Sequence, residues 1–262
     1  WAEFGINIGT ELSDYHTRGH YALVWCVDLG NIIVIPLSSR DSPGSAMTFD
    51  LGIIPNENEI KEIVRQMAII HKQQLNSEFI YDKWAIVNFI EEFEDKKQYL
   101  NERDYKKLSE LLMQFKNIDM KRLPHAFTHG DIISTNVMKD NNGKLWIIDF
   151  AVSNYLPRIV DLAVSSCNLC LNPDSIKEKR SKTKMILKEY EKYNKLTDYE
   201  KEVFPIFFDI ANAMGILQIS YLISQGEASE EDKFWYDESE KGLEFSDKEF
   251  WKDICVKEEN KR

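Results

Sequence analysis

His129-Gly130-Asp131-Ile132-Ile133-Ser134-Thr135-Asn136, followed by Trp146-Ile147-Ile148-Asp149-Phe150, is the stretch on which the reading of this chain turns. The first piece is a short loop that offers a carboxylate, Asp131, and five residues on a neutral amide oxygen, Asn136. The second is an apolar run that ends in a further carboxylate, Asp149. Between them Asp140-Asn141-Asn142-Gly143 is turn chemistry, so Asn136–Lys139 and Lys144–Phe150 are expected to pair as a hairpin. That hairpin would bring Asn136 and Asp149 to its open end on neighbouring strands. Phosphoryl transfer asks little covalent chemistry of a protein. It needs a carboxylate to orient an attacking hydroxyl and take its proton, and hard oxygen ligands for Mg²⁺. Alone, Asp131 is a loop carboxylate, Asn136 a turn cap and Asp149 a helix cap; the spacing and the strand-turn-strand between them point to that chemistry.

Working outward, the segment before residue 55 reads as β. Tyr21–Asp28 (YALVWCVD) and Asn31–Leu37 (NIIVIPL) are β-branched and aromatic, with a Gly30-Asn31 turn between them, and 38–45 (SSRDSPGS) is loop chemistry. Past Pro55 the period becomes helical. Ile60, Ile63, Val64, Met67 and Ile70 mark one face of a helix over about 57–75, and Tyr105, Leu108, Leu111, Leu112 and Phe115 one over 102–116. Further helices are expected over 159–168, 175–194 and 198–224, and the acidic tail from Glu227 reads as short surface helices. The fold class is thus α+β. A short β-rich N-terminal segment, 1–55, precedes a mostly helical part, 56–262, that contains the catalytic hairpin.

These residues resemble the aminoglycoside phosphotransferase, choline kinase and homoserine kinase-like superfamily, whose C-terminal lobe residues 57–225 match. There H-G-D-x-x-x-x-N and an apolar strand ending in Asp mark the active site. The resemblance implies a catalytic base at Asp131, Mg²⁺ ligands at Asn136 and Asp149, and a structural role for His129 at the head of the loop. Asp161, in Asp161-Leu162-Ala163, would tie its helix back to the catalytic loop. Ile70-His71 and Ile219-Ser220-Tyr221-Leu222 match further family features. Phe150-Ala151 departs from the aromatic-acidic pair that often follows the metal Asp. The activity implied is transfer of the γ-phosphate of Mg²⁺-bound ATP or GTP to a small-molecule hydroxyl.

The family's N-terminal lobe also supplies a glycine-rich loop and a lysine for the phosphates. Residues 1–60 hold no lysine, and their glycines form no G-x-G-x-x-G. Residues 3–41 resemble instead the opening of a MazF/PemK-type toxin, a family of RNA-cleaving barrels. That resemblance would place Arg18 and Ser38 (or Ser39) at a scissile phosphate. A catalytically impaired kinase-like remnant, or a fusion carrying a MazF/PemK-type endoribonuclease fragment, therefore stays open beside the active phosphotransferase.

The formal net charge of −11 and pI near 5.1 disfavour nucleic acid held by bulk electrostatics, and would suit a cationic acceptor. Glu178, Glu189, Glu191 and Asp209 are the acidic side chains considered for such an acceptor. Four cysteines make no disulfide framework, and Cys167-x-x-Cys170 reads as a buried, inert helix pair. With no signal-like segment and no apolar run read as membrane-spanning, a cytoplasmic enzyme is expected.

Overall fold

The computed structural model describes residues 22–28, 31–36, 49–51, 54–75, 79–140, 142–170, 175–251 and 254. The chain forms two compact units, Trp1–Ile53 with Thr135–Ala151, and Ile54–Ser134 with Val152–Arg262. Residues 135–151, which the sequence reading put with the C-terminal part, group with the N-terminal strands.

In the first unit β1 (Ala22–Asp28) and β2 (Asn31–Pro36) pair antiparallel, Asp28 opposite Asn31, with a bulge between Val24 and Cys26. The second sheet has the order β3-β5-β6. Its β3 (Phe49–Leu51) was not foreseen, because three residues are too few to show alternation. It lies antiparallel to β5 (Val137–Asp140), which pairs in turn with β6 (Leu145–Ile147), Val137 opposite Ile147. The expected second hairpin is thus present with shorter strands. Its turn is held by Asp140, whose Oδ1 accepts from Asn142 N and Lys144 N at 2.9 Å each.

The second unit is mostly helical. α1 (Glu57–Ile70) starts at a capping box in which Asn56 Oδ1 accepts from Glu59 N and Glu59 Oε2 from Asn56 N. It buries Ile60, Ile63, Val64 and Met67 completely, and it ends sooner than expected, at His71. α2 (Phe89–Lys96) and α3 (Glu102–Lys116) follow, then β4 (His125–Thr128), which pairs antiparallel with β7 (Asn154–Pro157). α4 (Ile159–Asn168) and α5 (Ile176–Glu191) lead to α6 (Asp198–Gln225), against which α2, α3, α4 and α7 (Glu230–Phe245) pack; α8 (Lys248–Trp251) closes the described part. Phe204, Phe207 and Phe208 of α6 are buried, each worth about 1.5–3 kcal/mol.

Two expectations change here. α6 is, by length and composition, apolar enough to cross a membrane, although no such run was read in the sequence. In this unit it is the core helix: 61% of its most apolar window is buried against protein, which is why it is hydrophobic nearly all round. The tail read as short helices begins instead with α7, four turns long (16 residues) and capped by Ser229. Its scattered Phe234, Trp235 and Tyr236 hid the period.

Candidate active site

β4 delivers the chain into the loop 129–134, and α4 fixes that loop along its length. Asp161, Ser165 and Asn168 fall at i, i+4 and i+7, one helical face. Asp161 Oδ2 accepts from His129 N at 2.9 Å and its Oδ1 from Gly130 N at 2.8 Å. Ser165 Oγ donates to Ile132 O at 3.0 Å, and Asn168 Oδ1 accepts from Ser134 N at 2.8 Å. Gly130 has φ +89°, and a Cβ there would stand 3.2 Å from the Val152 carbonyl, so only glycine fits without strain. His129 is wholly buried, and its Nδ1 accepts from Asp131 N at 3.2 Å.

Asp161 is itself wholly buried. Burial alone would raise its carboxyl; the hydrogen bond from His71 and that from the His129 N–H outweigh it and hold the carboxyl below the ordinary range. His71 Nε2 lies 2.9 Å from Asp161 Oδ2, and its Nδ1 2.7 Å from Tyr190 Oη. A neutral ring meets both needs, Nε2–H donating to the carboxylate and Nδ1 accepting from the phenol. The backbone of this loop is thereby connected to the end of α1 and to α5.

Asp131 lines a pocket of about 420 Å³ inside the helical unit. The wall comes from the loop, α4, α6, α7 and the segment before α2. It carries four carboxylates, Asp82, Asp131, Asp232 and Glu238, with Trp84 and Trp235; among the described residues lining it there is no lysine, arginine or histidine. Asp82 accepts from Trp84 N at 3.0 Å, and burial pushes its carboxyl above the ordinary range. Asp232 is partly committed to capping α7, accepting from Ser229 Oγ at 2.6 Å and Ser229 N at 2.7 Å, which hold its carboxyl low. Glu238 pairs with Lys241 at 2.7 Å. α7 approaches α6 closely because Gly215 and Gly242 carry no side chain: a Cβ on Gly215 would lie 2.5 Å from Ser239 Oγ, and one on Gly242 2.3 Å from Asn212 Oδ1.

Asn136 and Asp149 belong to the sheet unit. There Ile148 N donates to Asn136 O at 3.0 Å, just beyond the last strand pair, which sets Asn136 across from the residue that precedes Asp149. Asp149 follows with φ +66°, the only left-handed non-glycine among the described residues. Such a conformation costs about 1–3 kcal/mol and collects at functional sites. The two side chains offer hard oxygen donors. Among the described residues no cluster of three or more His, Cys, Asp or Glu could hold a metal. A pair of protein oxygens nevertheless fits Mg²⁺, which is commonly held by one or two carboxylates plus substrate phosphates.

Of the acidic residues considered for a cationic acceptor, none lines the pocket. Glu178 pairs with Lys182, Glu189 with Lys192 and Glu191 with Lys201, while Asp209 lies elsewhere on α6. Asp82, Asp232 and Glu238 were missed, because they come from a loop and from a tail read as surface. Cys167 and Cys170 are free, and burial pushes both thiols up to about 12; Cys167 also lines the pocket. Arg18 and Ser38 lie outside the described residues.

The family model of the phosphotransferase enzyme family matches residues 35–176, more than half of the chain, and takes in Ser38 and the whole catalytic segment. No comparison supports the toxin resemblance. Among solved structures, choline kinase LicA from Streptococcus pneumoniae matches at 15% identity and TM-score 0.57, covering 85% of this chain and 74% of its own. An aminoglycoside phosphotransferase from Alicyclobacillus acidocaldarius matches at 12% and 0.56, covering 80% and 69%. A choline/ethanolamine kinase family protein from Mesorhizobium loti also matches at 12% and 0.56, covering 78% and 68%. No curated protein sequence matches. The α+β architecture is therefore the kinase-like one of these structures, and the chain belongs to the phosphotransferase enzyme family.

Proposed function

We propose that this protein transfers the γ-phosphate of ATP or GTP to the hydroxyl of a small cationic molecule, with Mg²⁺ held by Asn136 and Asp149. The observation that carries the reading is Asp131, which lies in a loop fixed by α4 and lines a pocket with four carboxylates and, among its described lining residues, no cationic side chain. An alkylated ammonium suits that wall: the carboxylates supply the opposite charge, and Trp84 and Trp235 supply aromatic faces that attract such cations by about 0.5–2 kcal/mol each. A bound cation would also favour the ionised form of Asp82, offsetting the burial that now raises it.

In this mechanism the pocket holds the acceptor with its hydroxyl at Asp131. Asp131 orients the hydroxyl and takes its proton as the new O–P bond forms and the bond to the β-phosphate oxygen breaks, releasing the nucleoside diphosphate. When bound, Mg²⁺ neutralises charge on the phosphate oxygens. Asp161, Ser165 and Asn168 keep the loop in one shape, so little reorganisation accompanies reaction.

The test uses choline as probe acceptor and Asp131→Asn as variant. We expect kcat to fall by about 10²–10⁴-fold, with Tm close to the wild-type value and choline still bound, more weakly by the loss of one of the four charges. Turnover retained in Asp131→Asn would remove Asp131 from the role of base.

A further inference from the structure

The segment Phe79–Ala85, which carries Asp82 and Trp84 to the pocket, is neither helix nor strand, yet its polar groups are tied down from behind. Asn154, buried on β7, brackets Ile80: its Oδ1 accepts from Ile80 N and its Nδ2 donates to Ile80 O, both at 2.8 Å. Gln218, buried on α6, donates from Nε2 to Lys83 O at 2.6 Å and to Glu92 Oε2 at 2.7 Å. Glu92, buried on α2, accepts from Tyr81 Oη at 2.6 Å through its other oxygen. The segment's own turn is closed by Ala85 N donating to Asp82 O.

What these bonds hold outward is apolar. Phe79 is 63% exposed, Tyr81 47%, Ile80 44% and Trp84 41%. A solvated loop ordinarily shows its polar side chains and is free to fold its apolar ones inward. Here three buried polar side chains prevent that, leaving exposed apolar side chains in the same fixed segment as Asp82 and Trp84. Trp84 is both exposed and part of the pocket lining, so it links the segment's apolar side chains to the pocket.

We infer that the acceptor is amphiphilic: an ammonium alcohol whose head fills the pocket and whose apolar extension lies along Phe79, Ile80 and Trp84. This rests on the cationic-acceptor reading above and narrows it to a substrate class. A methylene fully covered by protein is worth about fourfold in affinity, and one half covered about twofold.

The test is calorimetric binding of choline and of N-butyl- and N-octyl-N,N-dimethylethanolammonium below their micellar concentrations, with turnover measured in parallel. We expect the octyl compound to bind at least about tenfold more tightly than choline. Phe79→Ser and Ile80→Ser, both at exposed positions, should each cut that ratio about threefold or more. A ratio near one in the wild type overturns the inference while leaving an ammonium pocket in place, and assigns the exposed apolar side chains to some other occupant. A ratio that survives both substitutions overturns it too. Failure of every compound to bind, choline included, overturns the cationic-acceptor reading along with it.

Discussion

Asp209 stands in an apolar stretch of α6 with one carboxylate oxygen, Oδ1, buried and without a hydrogen-bond partner. Burial pushes its carboxyl up to about 7, against the pull of a hydrogen bond to Ser246 and the charge of Lys107. The folded value is raised above the unfolded one, so its contribution to stability is fully present below about pH 4 and is lost as pH rises toward 7. Asp209→Asn should therefore stabilise the protein at pH 8 by on the order of 2–4 kcal/mol and little at pH 4. Urea midpoints at the two pH values check this; an equal shift at both would refute the assignment. At this scale the sequence singled out residues whose type is constrained by chemistry: Asp131, Asn136 and Asp149 by their spacing and the strand-turn-strand between them, and His129 by the family resemblance. Ser165 and Asn168 did not stand out, since a serine and an asparagine on a helix have many uses. Only the structure shows each bonded to the loop.

Among the elements, α3 and α4 have the bounds the sequence gave; in α3 one apolar face and clear end signals, Asn101 at its start and Lys116 in its last turn, agree. β3 and β4 and the strand β7 were not legible, being too short for alternation to emerge from chance. α7 was concealed by aromatic residues spread around it, and its place depends on glycines whose value is the room they leave. Gly242→Ala gains helix propensity worth about 1 kcal/mol, yet its new methyl would meet Asn212 Oδ1 at 2.3 Å and Cγ at 2.7 Å. We expect a net loss of about 1–2 kcal/mol, recovered when Asn212→Ala is made in the same chain. Thermal unfolding of the two single variants and the double variant measures the coupling; simple additivity would show that the two helices do not meet as described.

For the molecule as a whole, the family was legible from one segment, and the family model extends it upstream to residue 35. The hard oxygens of Asn136 and Asp149 have a direct consequence for the donor on the proposed reading. If they hold the ion that screens the phosphates, nucleotide affinity should depend strongly on the divalent ion. We expect Mg²⁺ to tighten binding of ATP or GTP by at least about tenfold, as one well-placed charge contact is worth about 1.4 kcal/mol or more. Asp149→Asn should remove most of that gain. Titrations with and without Mg²⁺ decide it, and equal affinities in the two would place the phosphate contacts elsewhere. Net charge guided the choice of acceptor in sign only: −11 spread over the chain says nothing of where carboxylates gather. The pocket's four come from a loop, the catalytic segment and α7.

The pocket has every one of its walls within the helical unit, while the paired metal-binding candidates sit on the hairpin. On the proposed reading, acceptor choice and donor handling are written in separate stretches of sequence. Changes in 79–85 and 230–239 can exchange one alcohol for another without touching Asn136 or Asp149. Such a division gives a lineage of these proteins an inexpensive route to new substrates: it keeps the transfer chemistry and drifts around the pocket. Laboratory selection for a new acceptor should accumulate its substitutions there first.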